Sequence, residues 1–250
     1  MPDDVAARDV DVLVPPAAQD TPSSEVVAAS ALLEEVARER GVAVRRLDPE
    51  TLICGEGARR TLFHGLTSSR TSRLAQVLCG NDAWLRAHLS RHGLPVLPTR
   101  LVGADDARFA EAAAQKLGFP VRMRPVDRNR SGVEYTATDV ASFHESWRAL
   151  TASCEPAGRV VLERPSPPPT VVAVAGETAL ALGDGAAGAA HTLLAVSAAA
   201  VLGAGWAVVR LAGSSSPLVD TVTFAASALA AMPTHTAYRV AGAVLASALG

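Results

Sequence analysis

Between residues 186 and 209 the chain carries no acidic or basic side chain apart from His191, in a run made mostly of alanine, glycine and aliphatic residues. A run of this length has two outlets: it spans a bilayer, or it is buried inside a folded core. Its apolar content is mostly alanine and glycine, which are weak membrane anchors, and Leu202-Gly203-Ala204-Gly205 reads as a turn that splits it. The run therefore predicts a buried helix followed by a buried strand, and no membrane partner. A chain that hides so much apolar surface needs a layered architecture around it. At 250 residues and 49% hydrophobic content it is long enough to build one.

The flanking sequence supplies the layers. Residues 25–40 place Val26, Val27, Ala31, Leu32, Leu33 and Val36 on one helical stripe, with Ser24 as the expected cap and Gly41 as the stop. Short strands are expected at residues 42–47, 51–54 and 62–64, a helix–strand alternation that opens an α/β layer. Further helices are expected at residues 72–78, at 83–92 behind a cap at Asn81 or Asp82, from Asp105 to Lys116, and from Asp139 to about residue 150. Strands are expected at 120–125, 133–136 and 160–163. A hairpin turning at Gly176 is expected between 170–175 and 178–182, then strands at 206–211 and 221–224 and a last helix from residue 235. Residues 127–132 read as a polar turn, and the prolines of 165–169 as an extended connection.

Several function classes are excluded early. The formal net charge of −2 carries no electrostatic footprint for nucleic acid. Cys54, Cys79 and Cys154 form no CxxC pair, which argues against a zinc site or a disulfide framework. The acidic, proline-containing start lacks the basic and apolar regions of a signal peptide, so a cytoplasmic protein is expected. His191, His235 and Cys154 have no metal or triad spacing, and His64 with Ser68 and Ser69 has no nucleophile motif. Leu202-Gly203-Ala204-Gly205 lacks the later glycine of a dinucleotide fingerprint. Trp84, Trp147 and Trp206 read as packing residues. Lys116 is the sole lysine, so any site needing a lysine amine has one candidate.

The order of elements and their punctuation resembles the ATP-grasp superfamily, in its cyanophycin-synthetase-like and peptide-ligase-like branch, over residues 24–250. The resemblance rests on Gly93-Leu94-Pro95-Val96-Leu97-Pro98, on Gly118-Phe119-Pro120-Val121-Arg122-Met123-Arg124-Pro125, and on residues 127–133. Val161-Leu162-Glu163, the hairpin at Gly176, and Leu202-Gly203-Ala204-Gly205-Trp206-Ala207 complete it. It implies an α+β fold with two lobes around a cleft, preceded by a small α/β pre-ATP-grasp domain. The organisation it implies is a flexible tail over 1–23, the small domain over 24–80, a first lobe over 81–158 and a second over 159–250.

Members of that superfamily join a carboxylate to an amine through an acyl-phosphate, with ATP between the lobes. Carried over position by position, their two phosphate-contacting lysines fall on Arg86 and Arg124. Arginine keeps the charge but is bulkier and forks where lysine is a point charge, so two readings stay open: nucleotide contacts, or solvated surface arginines. The glycine-rich loop becomes Asp127-Arg128-Asn129-Arg130-Ser131-Gly132-Val133, with one glycine left and with Arg128 and Arg130 as its charges. Glu163 matches the start of the adenine-side hinge. The metal ligands depart most. The acidic position falls on Arg210, and the Glu-x-Asn pair on Thr223 and Ala225, or on Val222 and Phe224 one residue earlier. Magnesium needs hard oxygen ligands, and Asp220, expected to cap or leave a loop, is the only nearby carboxylate.

The expectation that follows is a catalytically inactive ATP-grasp homologue that binds a peptide, an amino-acid-like ligand or a ligase partner protein. It has no catalytic or metal residues. Arg86, Arg124, Arg128, Arg130 and Glu163 are the candidate nucleotide contacts, which leaves ATP open as a cofactor and magnesium unsupported. The alternative is an active ATP-dependent carboxylate–amine ligase with remodelled ligands, Asp220 being recruited to magnesium. A third reading is a homo-oligomer built through the alanine-rich helices near the C-terminus.

Overall fold

The computed structural model describes residues 23–126, 134–152, 154, 158–165, 169–182, 187–230 and 232–250. The expectations for the N-terminal tail, for Arg128, Arg130 and Gly132 in the loop after Arg124, and for the middle of the proline connection lie outside these residues.

Helix α1 (Ser24–Glu39) leads into a four-stranded antiparallel meander: β1 (Val44–Arg46), β2 (Thr51–Cys54), β3 (Thr61–His64) and β4 (Thr67–Ser68). Ser23, not Ser24, sits at the N-cap of α1, and its backbone is extended there. Helices α2 (Arg73–Cys79) and α3 (Asp82–Arg91) follow, capped by the side chains of Ser72 and Asn81. The second sheet contains β5 (Thr99–Gly103), β6 (Val121–Pro125), β7 (Tyr135–Ala137) and β8 (Arg159–Glu163), in the order β5-β8-β6-β7. Helices α4 (Ala107–Leu117) and α5 (Val140–Ala152) cover it. Asp106, one residue beyond the expected Asp105, caps α4 by accepting from the Phe109 N–H at 3.0 Å. Strand β8, which the expected boundary at residue 158 assigns to the second lobe, hydrogen-bonds between β5 and β6.

The third sheet holds β9 (Thr170–Ala175), β10 (Thr178–Leu182), β11 (Trp206–Ala212) and β12 (Leu218–Thr223), ordered β10-β9-β11-β12. Helix α6 (Ala189–Val201) lies on one side; the short α7 (Ser227–Ala230) and the long α8 (Thr234–Leu249) lie on the other. The period-2 alternation of a strand sorts its residues between the two faces. Val172, Val174, Ala207 and Val209 pack with α6, α2 and α3, whereas Ala173, Ala175, Trp206 and Val208 pack with α8, α1 and the N-terminal meander. Where a strand is covered on both faces it needs apolar residues at successive positions, which accounts for the uncharged stretch at residues 206–209 of β11; Arg210, the next residue, is exposed. The same packing merges the core of residues 24–80 with that of the third sheet: Leu33, Phe63, Trp206 and Val240 share one cluster. Among the described residues no helix is long and apolar enough to cross a membrane.

The β9–β10 hairpin turns at Gly176, whose φ of +58° suits glycine, and a Cβ there would lie 2.8 Å from Ser247 Cβ on α8. Gly176→Ala is expected to cost about 1–2 kcal/mol from the left-handed backbone alone, with the contact adding to it. Urea unfolding would read this as a lower midpoint at unchanged slope.

Candidate inter-lobe site

Four elements bring charged side chains together where the second sheet meets the third. On α3, Asp82 and Arg86 are four residues apart and so share the face turned toward β12. On β6, Arg122 and Arg124 are two residues apart and share a strand face. Glu163 ends β8, where the register sets it opposite Thr99 of β5 on one side and Arg122 of β6 on the other. The last member is Asp220. Arg210 pairs with Thr221 and Leu211 with Val219, so Asp220 is the extra residue of a β-bulge in β12. A bulge re-aims its side chain, and here the carboxylate meets α3.

The contacts form one closed cluster. Arg86 donates from Nε to the Asp220 carbonyl at 2.8 Å and from Nη2 to Asp220 Oδ1 at 2.6 Å. Its Nη1 bonds Thr99 Oγ1 and the Glu163 carboxylate. Arg124 bonds Asp82 Oδ2 at 2.5 Å and Glu163 Oε1 at 3.2 Å, and Arg122 bonds Glu163 Oε1 at 2.5 Å. Thr221 donates to Asp82 Oδ1 at 2.8 Å. Asp82, Arg86, Arg124, Glu163, Asp220 and Thr221 are all buried. Three carboxylates face three guanidiniums, so the formal charge cancels.

Burial alone pushes the Glu163 carboxyl up, but the neighbouring Arg86, Arg124 and Arg122 guanidiniums and the Arg86 hydrogen bond outweigh it and hold its pKa at about 2. Arg122 is held above its ordinary range: desolvation lowers it, and the Glu163 and Glu134 carboxylates more than compensate. Two donors, Arg122 Nε and Arg124 Nη1, have no hydrogen-bond partner among the described residues.

Of the sequence candidates, Arg86, Arg124 and Glu163 converge here. Arg86 and Arg124 are 2% and 5% exposed, which removes the solvated-surface reading. Asp220 neither caps nor leaves a loop: it lies inside β12, and its carboxylate is taken by Arg86. Asp82 enters the sequence reading only as a candidate helix cap and Thr221 only as the start of a strand, because the hydrogen bond between them joins residues 139 apart along the chain. Arg210, in contrast, is exposed. Trp147 and Trp206 pack as expected, whereas Trp84 stands 52% exposed. His191 is a buried histidine whose Nε2 lies 2.9 Å from the Gly213 carbonyl. Burial pushes Cys79 up to about 12 and Cys54 to about 11, in each case with help from a nearby carboxylate, so neither is a ready thiolate.

As packed, Arg86 and the carboxylates of the cluster are not free to hold a phosphate or magnesium. Arg86 spends all three of its nitrogens inside the protein, and each carboxylate that could approach a cation is already bonded to an arginine. Among the described residues no group of three histidine, cysteine or acidic side chains could hold a metal ion.

No protein-family profile matches the chain, and no curated relative does. Solved structures do match. A RimK-domain ATP-grasp protein from Sphaerobacter thermophilus DSM 20745 superposes with a TM-score of 0.61 at 18% identity, covering 89% of this chain and 96% of that one. D-alanine–D-alanine ligase from Bacillus anthracis gives 0.57 at 14% identity over 71% of this chain and 68% of that one. D-cycloserine synthetase DcsG gives 0.56 at 19% identity, over 71% and 73%. The chain has the α+β ATP-grasp fold of these structures.

Proposed function

We propose that this chain is a catalytically inactive ATP-grasp homologue in which an internal ion cluster replaces the nucleotide and metal, and that it acts by binding. Its ligand is a peptide or an amino-acid-like molecule, or a biosynthetic ligase partner. Peptide biosynthesis and a cytoplasmic setting belong to the same proposal. The observation that carries it is the complete engagement of Arg86 with Asp220, Thr99 and Glu163. A guanidinium that already closes contacts to two carboxylates offers nothing to a phosphate. Opening the cluster would strand buried charges, at a cost of several kcal/mol that nucleotide binding would have to supply. Phosphoryl transfer also needs metal-neutralised phosphates held in line, and every carboxylate of the cluster is already bonded to an arginine.

Calorimetry with ATP, in magnesium and in EDTA, tests the reading. The expected result is no binding heat in either buffer, and no ADP release with any amino acid added. Magnesium-dependent binding would overturn the proposal in favour of a ligase with remodelled ligands. Binding that ignores magnesium would move the phosphates to Arg128 and Arg130 and leave the inactive reading in place.

A further inference from the structure

Each of the three sheets ends in two edge strands, and an edge presents a row of unpaired N–H and C=O groups that another strand can take up. Five of these six edges are short, charged or covered. β1 has three residues, of which Arg45 and Arg46 are exposed. β4 has two residues and β7 three. β5 follows Pro98 and carries the exposed Arg100. β12 is covered by residues 95–97: the Leu97 N–H donates to the Val219 carbonyl at 3.0 Å, and the Val219 N–H to the Pro95 carbonyl at 2.9 Å.

β10 differs. Its five residues, Thr-Ala-Leu-Ala-Leu, contain no charge and no proline. β9 takes one side of it along the whole length, from Thr178 opposite Ala175 to Leu182 opposite Val171. No described residue hydrogen-bonds the backbone of its other side. Thr178 and Ala181 are exposed. Ala179, Leu180 and Leu182 are half-buried at the rims of two cores: Leu180 and Leu182 border the cluster under α8, and Ala179 the cluster under α6.

An uncharged edge about 17 Å long is completed by an uncharged strand of the same length, and β10 of a second copy is one. Antiparallel pairing about a two-fold axis through Leu180 sets Leu180 beside its own counterpart, Ala179 against Ala181 of the second copy, and Thr178 against Leu182. Glu177, the charge that precedes the strand, then stands at opposite ends in the two copies, so no like charges meet. A parallel pairing would line the two Glu177 side chains up, which disfavours it. The axis runs perpendicular to the sheet, so each face meets its own counterpart. The half-buried Leu180 and Leu182 gain apolar neighbours on the α8 side, and Ala179 on the α6 side.

We propose that β10 is a dimerisation edge, through which two copies of this chain join their third sheets into one of eight strands, four from each. One strand pair is small beside the ~1,000 Å² that a stable interface buries, so the dimer is reversible and forms as concentration rises. It uses a strand edge where the sequence suggested alanine-rich helices. It uses no residue of the inter-lobe cluster, and stands whether or not that cluster admits a nucleotide.

Sedimentation equilibrium of the full chain over a range of concentrations provides the test, with Ala181→Lys and Ala181→Glu as variants. Ala181 is exposed, so urea midpoints of both variants are expected to match the parent. In the dimer the two copies of residue 181 are diagonal neighbours on one face of the sheet. The expected result is a parent whose average mass climbs from 25.7 kDa toward twice that value. Each variant alone is expected to dimerise at least tenfold more weakly, and an equimolar mixture of the two to recover the dimer, because opposite charges then meet across the axis. A parent that stays monomeric overturns the proposal. A parent dimer that both variants form equally well places the interface elsewhere and overturns it too, as does a mixture that associates no better than either variant. Hydrogen exchange needs no variant: the β10 amides of the parent should exchange more slowly as concentration rises, and unchanged exchange alongside a rising mass also overturns the proposal.

Discussion

Replacing Glu163 with alanine is expected to destabilise the fold by about 3–5 kcal/mol, because it takes the shared partner from the buried Arg86 and Arg124 and from the half-buried Arg122. The loss exceeds that of an exposed ion pair, since the Glu163 side chain is 0% exposed and solvent cannot screen the stranded guanidiniums. The same carboxylate sets an acid limit. Its folded pKa of about 2 lies below the ordinary 4.5, so the folded state binds the proton less readily than the unfolded state. Its contribution is therefore complete above the ordinary pKa and is lost as pH falls through about 2, an effect on the order of 3 kcal/mol. Urea unfolding of the parent chain between pH 7 and pH 2 should show this decline, and Glu163→Gln should be less stable at neutral pH with a flatter acid limb. A Glu163→Ala variant as stable as the parent at pH 7 would mean that the cluster does not hold the lobes together.

Trp206→Ala is expected to cost about 3–5 kcal/mol, by the removal of a large buried side chain whose surroundings cannot fully collapse. Trp206 is 1% exposed and opens β11 in the core it shares with Leu33 of α1, Phe63 of β3 and Val240 of α8. The cavity would therefore loosen the seam between the N-terminal meander and the third sheet. Thermal unfolding should show a large drop in midpoint, with the transition losing its single step if the meander lets go first. Trp206→Phe should cost much less. It keeps most of the ring volume and removes the indole N–H, which has no hydrogen-bond partner among the described residues. Equal losses for the two variants would place the stabilisation in something other than packing.

What the sequence determined by itself is local. Cap residues and glycines located the helices they flank to within a residue or two, though not the short α7, since an N-cap or a positive φ is a property of a few neighbouring residues: Asn81 caps α3, and Gly176 turns its hairpin. The uncharged run foretold α6 and the first half of β11, because a strand segment covered on both faces disfavours a charge; Arg210 comes where β11 is exposed. Motif order carried the fold, and the position-by-position resemblance picked out Arg86. What that arginine does was decided only in three dimensions. Its partners are Asp220, Thr99 and Glu163, and Asp220 reaches it because a single extra residue bulges β12. A sequence shows that a side chain is charged, but its ionic partner depends on which strands become neighbours and in what register. Burial then decides whether the charge faces water, a phosphate or another residue of the same chain.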